Sequence, residues 1–182
     1  PFIISTHAIY NFEPNKFFSR IVKWIFTSAD KILAISNESK KELLKIDITD
    51  KKVGRYTYWV DQKIFKPKNK ETARKKLGIL DNFTVIFVGR LLKIKGINII
   101  LQVAKEIDHK INFLFVGTGP LEKELFFASR KYHNIIFLGK AANHQLPLYY
   151  NAADIFIIPS VYPEAFGKVV IEALSCGLPV VA

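Results

Sequence analysis

The residues best suited to chemistry follow short apolar runs in the second part of the chain. Arg90 comes directly after one run, and Lys95 lies just before a predicted helix. Two cations beside a helix N-terminus suit a pyrophosphate, because backbone N–H groups and positive side chains both favour an anion. Arg90 could instead cap a neighbouring helix, but several loops of this kind together favour the anion site. The loops are Gly89-Arg90, Gly117-Thr118-Gly119, Gly139-Lys140 and Pro159–Gly167.

Two carboxylates flank the start of the last predicted helix. Glu164 lies in the loop before it, Phe166-Gly167 opens the helix, and Glu172 follows about one and a half turns later. Carboxylates on either side of a helix start can accept hydrogen bonds from several sugar hydroxyls. The alternative is a solvated Glu164 and a Glu172 on the helix surface.

Other sites of phosphate or metal chemistry are disfavoured. Gly117-Thr118-Gly119 lacks the third small residue of a dinucleotide fingerprint, because Glu122 stands at that position. The sequence has no P-loop and no Asp-x-Asp motif, and its four histidines lack ligand spacing to one another. We therefore expect no metal and no cofactor.

The elements that position these loops alternate between apolar strands and helices from residue 69 onward. Such alternation predicts an α/β fold with a doubly wound parallel sheet, whose ligand lies beyond the carboxyl ends of the strands. The predicted strands are Thr84–Val88, Ile111–Val116, Ile135–Leu138, Ile155–Ile158 and Leu178–Ala182. The predicted helices are Asn69–Gly78, Asn98–Ile107, Leu121–Tyr132, Leu146–Ala152 and Phe166–Ser175.

The first part of the chain repeats this alternation on a smaller scale. The strands are Phe2–Thr6, which His7 follows, and Lys31–Ile35, and the helices are Pro14–Ser28 and Asn37–Ile46, the latter with Ser36 as its N-cap. On position alone, His7 could equally be a cap or a functional residue. The segment Val53–Pro67 has no clear period and is predicted to contain the domain boundary.

The composition indicates which partners and which cellular compartment the protein is suited to. The chain has 182 residues, 49% of them hydrophobic, and a formal net charge of +11. A basic balance favours anionic partners or simply aids solubility. The lone Cys176 fits a reducing compartment, and no apolar stretch is long enough to cross a membrane. Without a methionine, and with an end inside an apparent strand, the sequence reads as a fragment of a longer protein.

Several motifs occur together in the order typical of one enzyme family. The chain resembles the retaining glycosyltransferases of family 4, which have the two-Rossmann architecture called GT-B. The resemblance covers essentially the whole chain and is carried by the two glutamates with seven residues between them, with Phe-Gly after the first and Gly-x-Pro-Val after the second. It is also carried by Ala29–Ser36, Val88–Leu91 with Lys95-Gly96, Val116–Pro120 and Ala153–Ser160.

This resemblance implies a role for each motif in binding a nucleotide-diphosphate sugar, a UDP- or GDP-sugar. Arg90 and Lys95 would bind the donor diphosphate, Glu164 the sugar hydroxyls and Glu172 the ribose. The loop Gly139–Ala141, with Lys140, would lie near the base, and His7 would face the donor sugar. The backbone of Phe166, Gly167 and Val169 would meet the sugar and phosphate, beside the loops of Gly89 and Gly117.

The implied reaction is sugar transfer with retention to a glycan or lipid-linked acceptor, as in polysaccharide biosynthesis. Arg90 and Lys95 could stabilise the leaving diphosphate without a metal, and the sequence assigns no covalent nucleophile. One departure is Tyr58-Trp59-Val60-Asp61, where the family usually has Asn-Gly-Val-Asp at the hinge. Residues 1–55 are then the end of the acceptor-side domain, 56–67 the linker and 68–182 a truncated donor domain, and the fragment as a whole is expected to be inactive.

Three other functions are considered: a nucleotide-sugar-binding module without catalysis, a basic nucleic-acid-binding domain, and a nucleotide-sugar epimerase. The aromatic residues fall mostly in core-like elements, so no nucleic acid is expected, and the motif set disfavours the epimerase. The protein is expected to be cytoplasmic, and contact with the inner face of the membrane is a separate hypothesis. Lys16–Phe26 mixes basic and large apolar residues, as interfacial helices do, although packing of this helix against its own sheet is favoured.

Overall fold

The computed structural model describes residues 1–7, 9–13, 16–79, 81–107, 110–162 and 167–182. These residues divide into two compact units, each with its own parallel sheet. One unit is Pro1–Trp59, and the other is Val60–Tyr162 together with Lys168–Ala182. The α/β fold expected from the alternating pattern is confirmed in both units.

The first unit has a three-stranded parallel sheet of order β1-β2-β3. Its core includes Ile32 and Leu43, both fully buried. Ser36 caps the second helix as predicted, because its hydroxyl accepts the backbone N–H of Ser39 at 3.1 Å. The elements are β1 (Ile3–Thr6), α1 (Phe17–Thr27), β2 (Lys31–Ala34), α2 (Asn37–Lys45) and β3 (Val53–Arg55).

One short strand is added to the sequence expectations for this unit, and one expectation is corrected. Val53–Pro67, which shows no period, begins with β3, a three-residue strand too short to give a periodic signal. Of the apolar side chains of helix α1, Val22 and Phe26 pack on the core, whereas most of the large ones are exposed. The favoured reading, in which these side chains pack on the sheet, is therefore wrong for Phe17, Phe18, Ile21, Trp24 and Ile25.

The second unit has a five-stranded parallel sheet of order β6-β5-β4-β7-β8. The chain moves outward from β4 through β5 to β6 and then crosses to the other side of β4, as a doubly wound sheet requires. Its strands are β4 (Phe83–Val88), β5 (Ile111–Val116), β6 (Ile135–Gly139), β7 (Ile155–Ile157) and β8 (Val180–Val181). Its helices are α3 (Lys70–Leu77), α4 (Ile97–Glu106), α5 (Glu122–Lys131), α6 (Leu146–Ala152) and α7 (Lys168–Ser175).

The core of this unit lies between the sheet and its helices. Phe87, Phe115 and Phe156 are almost completely buried along three neighbouring strands, and Tyr150 from α6 packs beside Phe156 with ring centres 6.0 Å apart. These strands are apolar on both faces, as expected for a parallel sheet covered by helices on both sides. Within the described ranges, no helix combines the length and the hydrophobicity needed to cross a bilayer.

Candidate functional site

A pocket of about 260 Å³ lies beyond the carboxyl ends of β4, β5 and β6. Three of the loops singled out from the sequence meet there, as the position of ligands in open α/β sheets predicts. Three polar side chains contribute to the wall, from Arg90, Thr118 and Lys140. The full lining is Val88, Gly89, Arg90, Val116, Gly117, Thr118, Lys140, Ala141 and Leu146.

Backbone hydrogen bonds join these loops to one another. The N–H of Gly89 donates to the carbonyl of Val116 at 3.0 Å, and the N–H of Gly117 donates to the carbonyl of Gly139 at 2.8 Å. Gly117 has φ of +144°, and a Cβ atom there would lie 1.8 Å from the carbonyl oxygen of Gly89. Gly117 is therefore required for close packing of two loops, a reason that the sequence alone did not give.

Two exposed cations stand at this pocket. Among the described residues, the side chains of Arg90 and Lys140 make no hydrogen bond or ion pair with the protein, so Arg90 caps no helix there. Lys95 is placed differently. Its Nζ atom lies 3.1 Å from the Tyr162 hydroxyl and 4.9 Å from the centre of that ring, and Lys95 is not among the described residues that line the pocket.

Glu122 makes a hydrogen bond within the protein, which agrees with the sequence argument against a dinucleotide-binding motif. Its Oε1 atom accepts the backbone N–H of Gly119 at 2.7 Å. That amide is therefore satisfied by the protein, and the carboxylate holds negative charge at the place where a dinucleotide fingerprint would hold its pyrophosphate.

Glu172 is buried, with 1% of its surface exposed, and the reading of it as a surface helix residue is wrong. Two side chains donate hydrogen bonds to its carboxylate. The Tyr150 hydroxyl donates to Oε2 at 3.1 Å, and the Asn143 amide donates to Oε1 at 3.2 Å. The ammonium group of Lys168 lies 3.7 Å from Oε1. Buried carboxylates need such partners, because transferring a carboxylate from water to the protein interior without hydrogen bonds costs free energy.

Tyr150 is held firmly in place by the core around it. Its side chain is fully buried, and its ring centre lies 6.3 Å from that of Phe65. Burial, and then the neighbouring Glu172, raise the pKa of Tyr150 above its usual value. The phenol is therefore protonated across the physiological range and serves as a donor to the carboxylate. Sequence reasoning missed this residue because its partner is 22 positions away.

The loop after β6 connects the pocket with the buried carboxylate. Lys140 and Ala141 line the pocket, and Asn143, at the start of the next short turn, contacts Glu172. One short segment therefore touches both a positively charged pocket and a negatively charged carboxylate. This arrangement can bind an anion and hydroxyl groups of the same molecule.

His7 belongs to the first unit and follows β1. Its Nε2 atom lies 3.0 Å from the Ser5 hydroxyl, and its Nδ1 atom lies 2.8 Å from the Tyr56 hydroxyl and 2.9 Å from the Tyr58 hydroxyl. The sequence analysis did not predict the two tyrosines as partners. Tyr58 is one of the residues that replace the usual Asn-Gly-Val-Asp hinge motif. This replacement was the one feature of the sequence that could have pointed to Tyr58.

The remaining predicted residues lie around the start of α7. Glu164 and Phe166 are outside the described residues. Gly167 directly precedes α7, and Val169 lies in its first turn, with its carbonyl oxygen 3.4 Å from the Tyr150 hydroxyl. No group of three or more His, Cys, Asp or Glu residues in the described part of the chain is arranged to hold a metal ion.

The fold places the chain in a class of proteins built from α/β units that each contain a parallel sheet. The structure is similar to that of the Anabaena protein Alr3699/HepE in complex with UDP, with a TM-score of 0.82 and 25% identity over 99% of this chain and 52% of that one. It is also similar to sucrose-phosphate synthase from Thermosynechococcus elongatus, with a TM-score of 0.78 and 25% identity over 98% of this chain and 49% of that one. These likenesses confirm the GT-B fold expected from the sequence.

The sequence then identifies the family. The model for "Glycosyl transferases group 1" matches residues 69–182, and the chain belongs to this family. It is 35% identical over 155 residues to TuaC of Bacillus subtilis, a glycosyltransferase named for teichuronic acid biosynthesis. It is 31% identical over 173 residues to the D-inositol 3-phosphate glycosyltransferase of Mycobacterium leprae. These alignments cover 85% and 87% of this chain but only 38% and 39% of the relatives.

Proposed function

We propose that this chain carries the donor-binding part of a retaining glycosyltransferase of family 4. The full reaction would move a sugar from a UDP- or GDP-sugar to a glycan or lipid-linked acceptor. The observation that supports it best is the connection, through residues 140–143, between the pocket with Arg90 and the buried Glu172. The UDP held by the structurally similar Alr3699/HepE adds support for a nucleotide donor.

In this proposal the two charged regions act on different parts of the donor. Arg90, with Lys140 beside it, holds the diphosphate and offsets the negative charge that grows as the sugar bond breaks. Lys95 contributes to the same task from the turn that follows Arg90. Glu172 accepts hydrogen bonds from the ribose, and the backbone of the Gly139–Ala141 loop lies near the base. Positive side chains can stabilise the leaving group without a metal ion.

The roles proposed for His7 and Glu164 rest on the family resemblance. His7 would face the donor sugar, and Glu164 would bind sugar hydroxyls without acting as a covalent nucleophile. The domain assignment of 1–55, 56–67 and 68–182 is part of the same proposal, as is the inactivity of this chain in sugar transfer. Nucleotide binding, in contrast, depends on residues that the chain contains and is the property to test.

Calorimetric titration of the chain with UDP, GDP and ADP tests the donor site. We expect saturable binding of one nucleotide, weakened about tenfold or more by Arg90→Ala, because a hydrogen-bonded charge pair with phosphate contributes about 1.5–3 kcal/mol. Arg130→Ala is the matched control, since Arg130 is an exposed arginine on α5 that stacks over Phe126. It removes the same charge from the protein at a different place.

Glu172→Ala gives the second arm of the titration. It should weaken binding of the same nucleotide, with the fold checked by circular dichroism. If no nucleotide binds the folded chain, or if Arg130→Ala weakens binding as much as Arg90→Ala, then the pocket is not a specific phosphate site. A salt-sensitive affinity for random DNA that competes with nucleotide would instead favour the nucleic-acid alternative.

We also propose that α1 lies on an anionic membrane surface, which would bring the enzyme to a lipid-linked acceptor. Phe17, Phe18 and Trp24 are 77%, 67% and 72% exposed, and Lys16 and Arg20 lie beside them. A helix that combines exposed aromatic and basic residues suits the boundary of a negatively charged bilayer. Because the cytoplasmic leaflet carries this charge, the contact implies the cytoplasmic face.

Flotation with vesicles of phosphatidylcholine and phosphatidylglycerol tests this contact. The wild-type chain should float with the anionic vesicles and not with pure phosphatidylcholine, and Trp24→Ser should reduce the bound fraction. Phe127→Ser is the control, because Phe127 is 68% exposed on α5 in the other unit. No flotation, or an equal loss with both variants, would contradict the proposed contact of α1 with the membrane.

A further inference from the structure

The hydrogen bonds to Glu172 come from two different environments. Tyr150, which donates to Oε2, is fully buried, whereas Asn143 and Lys168, which approach Oε1, are exposed. The Oε2 atom therefore faces the interior of the unit and the Oε1 atom faces its outer side. Among the described residues, the Oε1 edge is therefore the side of the carboxylate that lies toward exposed partners.

The orientation of this carboxylate depends on the buried partner. A carboxylate oxygen has two lone pairs, so a hydrogen bond from Tyr150 to Oε2 leaves both lone pairs of Oε1 for other donors. Asn143 is exposed and can share that atom with a ligand or give way to it. Tyr150 cannot move in this way, because Phe65 and Phe156 pack against its ring.

We propose that Tyr150 is a positioning residue, which fixes the Glu172 carboxylate so that its Oε1 edge meets the ribose hydroxyls of a nucleoside diphosphate. This inference rests on the proposed function and adds a specific residue to it. Tyr150 itself does not contact the nucleotide. Its effect reaches the ligand only through Glu172, and therefore concerns only the ribose hydroxyls.

The test compares UDP with 2′,3′-dideoxy-UDP, or the corresponding guanosine pair if the chain prefers GDP. The measured quantity is the ribose preference, defined as the Kd of the dideoxy compound divided by the Kd of the ribonucleotide. Tyr150→Phe should lower this preference about tenfold, the loss expected when a charged acceptor loses its hydrogen-bond partner. The Kd of the dideoxy compound should change less than about twofold.

Tyr149→Phe is the matched control, because it removes a hydroxyl from the adjacent residue of the same helix. Tyr149 lines a separate groove between α3 and α6, so its loss should leave both affinities unchanged. A purely structural role of Tyr150 would weaken both nucleotides equally. An unchanged ribose preference in Tyr150→Phe, or an equal loss of affinity for both compounds, overturns the proposal.

The double variant Tyr150→Phe/Glu172→Gln keeps the proposal testable if Tyr150→Phe alone does not fold. Because Tyr150 acts through the carboxylate, removing its hydroxyl from the Glu172→Gln protein should change the ribose preference less than about twofold. A further large loss overturns the proposal. If the wild-type chain binds no nucleotide, the proposed function is overturned as well. If Tyr150→Phe binds nucleotide with an unchanged ribose preference, only the role of Tyr150 is overturned.

Discussion

The contact between the loops of Gly117 and Gly89 leads to a quantitative prediction. An alanine at position 117 would place its Cβ atom 1.8 Å from the Gly89 carbonyl oxygen, at a φ of +144° that only glycine adopts readily. The strained backbone costs about 1–3 kcal/mol, and moving one packed loop away from the other costs about 1–3 kcal/mol more. Gly117→Ala should therefore lower the free energy of unfolding by about 2–6 kcal/mol.

Gly139→Ala separates these two contributions. Gly139 also has a positive φ, +69°, but a Cβ atom there would meet nothing within 4 Å. We expect a loss of only about 1–2 kcal/mol, the cost of the left-handed conformation alone. Urea unfolding followed by circular dichroism measures both variants. If the two lose the same stability, or if Gly117→Ala loses less than about 1 kcal/mol, the loops are not packed as described.

Three further predictions concern other parts of the chain. Ser36→Ala removes the cap that accepts the N–H of Ser39 and should cost about 1 kcal/mol in urea unfolding. Burial alone would raise the pKa of Asp154, but Lys70, a backbone N–H and Arg74 hold it below its usual value. The charged Asp154 therefore stabilises the fold fully above the unfolded pKa of about 4, and this stabilisation is lost as the pH falls through the lower folded pKa. Asp154→Asn should remove this dependence, so the free energy of unfolding should fall less steeply at acid pH than in the wild type. Burial raises the pKa of the Cys176 thiol to about 11, so a disulfide reagent at neutral pH should react with it only after urea is added.

The regular elements could be predicted wherever an apolar run was long enough to define a period. Ile111–Val116 and Leu146–Ala152 have the same bounds in the structure as in the prediction. A strand of three residues such as Val53–Arg55 gives no such signal, because its pairing with β2 depends on contacts with residues about twenty positions away. The exposure of the apolar face of α1 also could not be predicted, because helical periodicity identifies an apolar face but does not show what packs against it.

The pocket was predictable because the topology of a parallel sheet brings its post-strand loops to one edge. Arg90 and Lys140 could be placed there from the order of strands alone. The environment of Glu172 could not, since its donors Tyr150 and Asn143 lie 22 and 29 residues away on other elements. Nothing in the local sequence distinguishes a glutamate that faces water from one that faces a tyrosine in the core.

The burial of Glu172 is more readily explained by ligand binding than by stability. An apolar side chain of similar size would fill the same space without the cost of removing a charge from water, and such replacements are often neutral or stabilising. The carboxylate keeps acceptor capacity on its outer oxygen, beside a pocket with two exposed cations. Lys140 and Asn143 are three residues apart, a reach of about 10 Å at most, which is comparable to the span from ribose to phosphate in a nucleoside diphosphate. A single molecule with an anionic end and a pair of hydroxyls can therefore satisfy both features at once, whereas inorganic phosphate or a neutral sugar would satisfy only one.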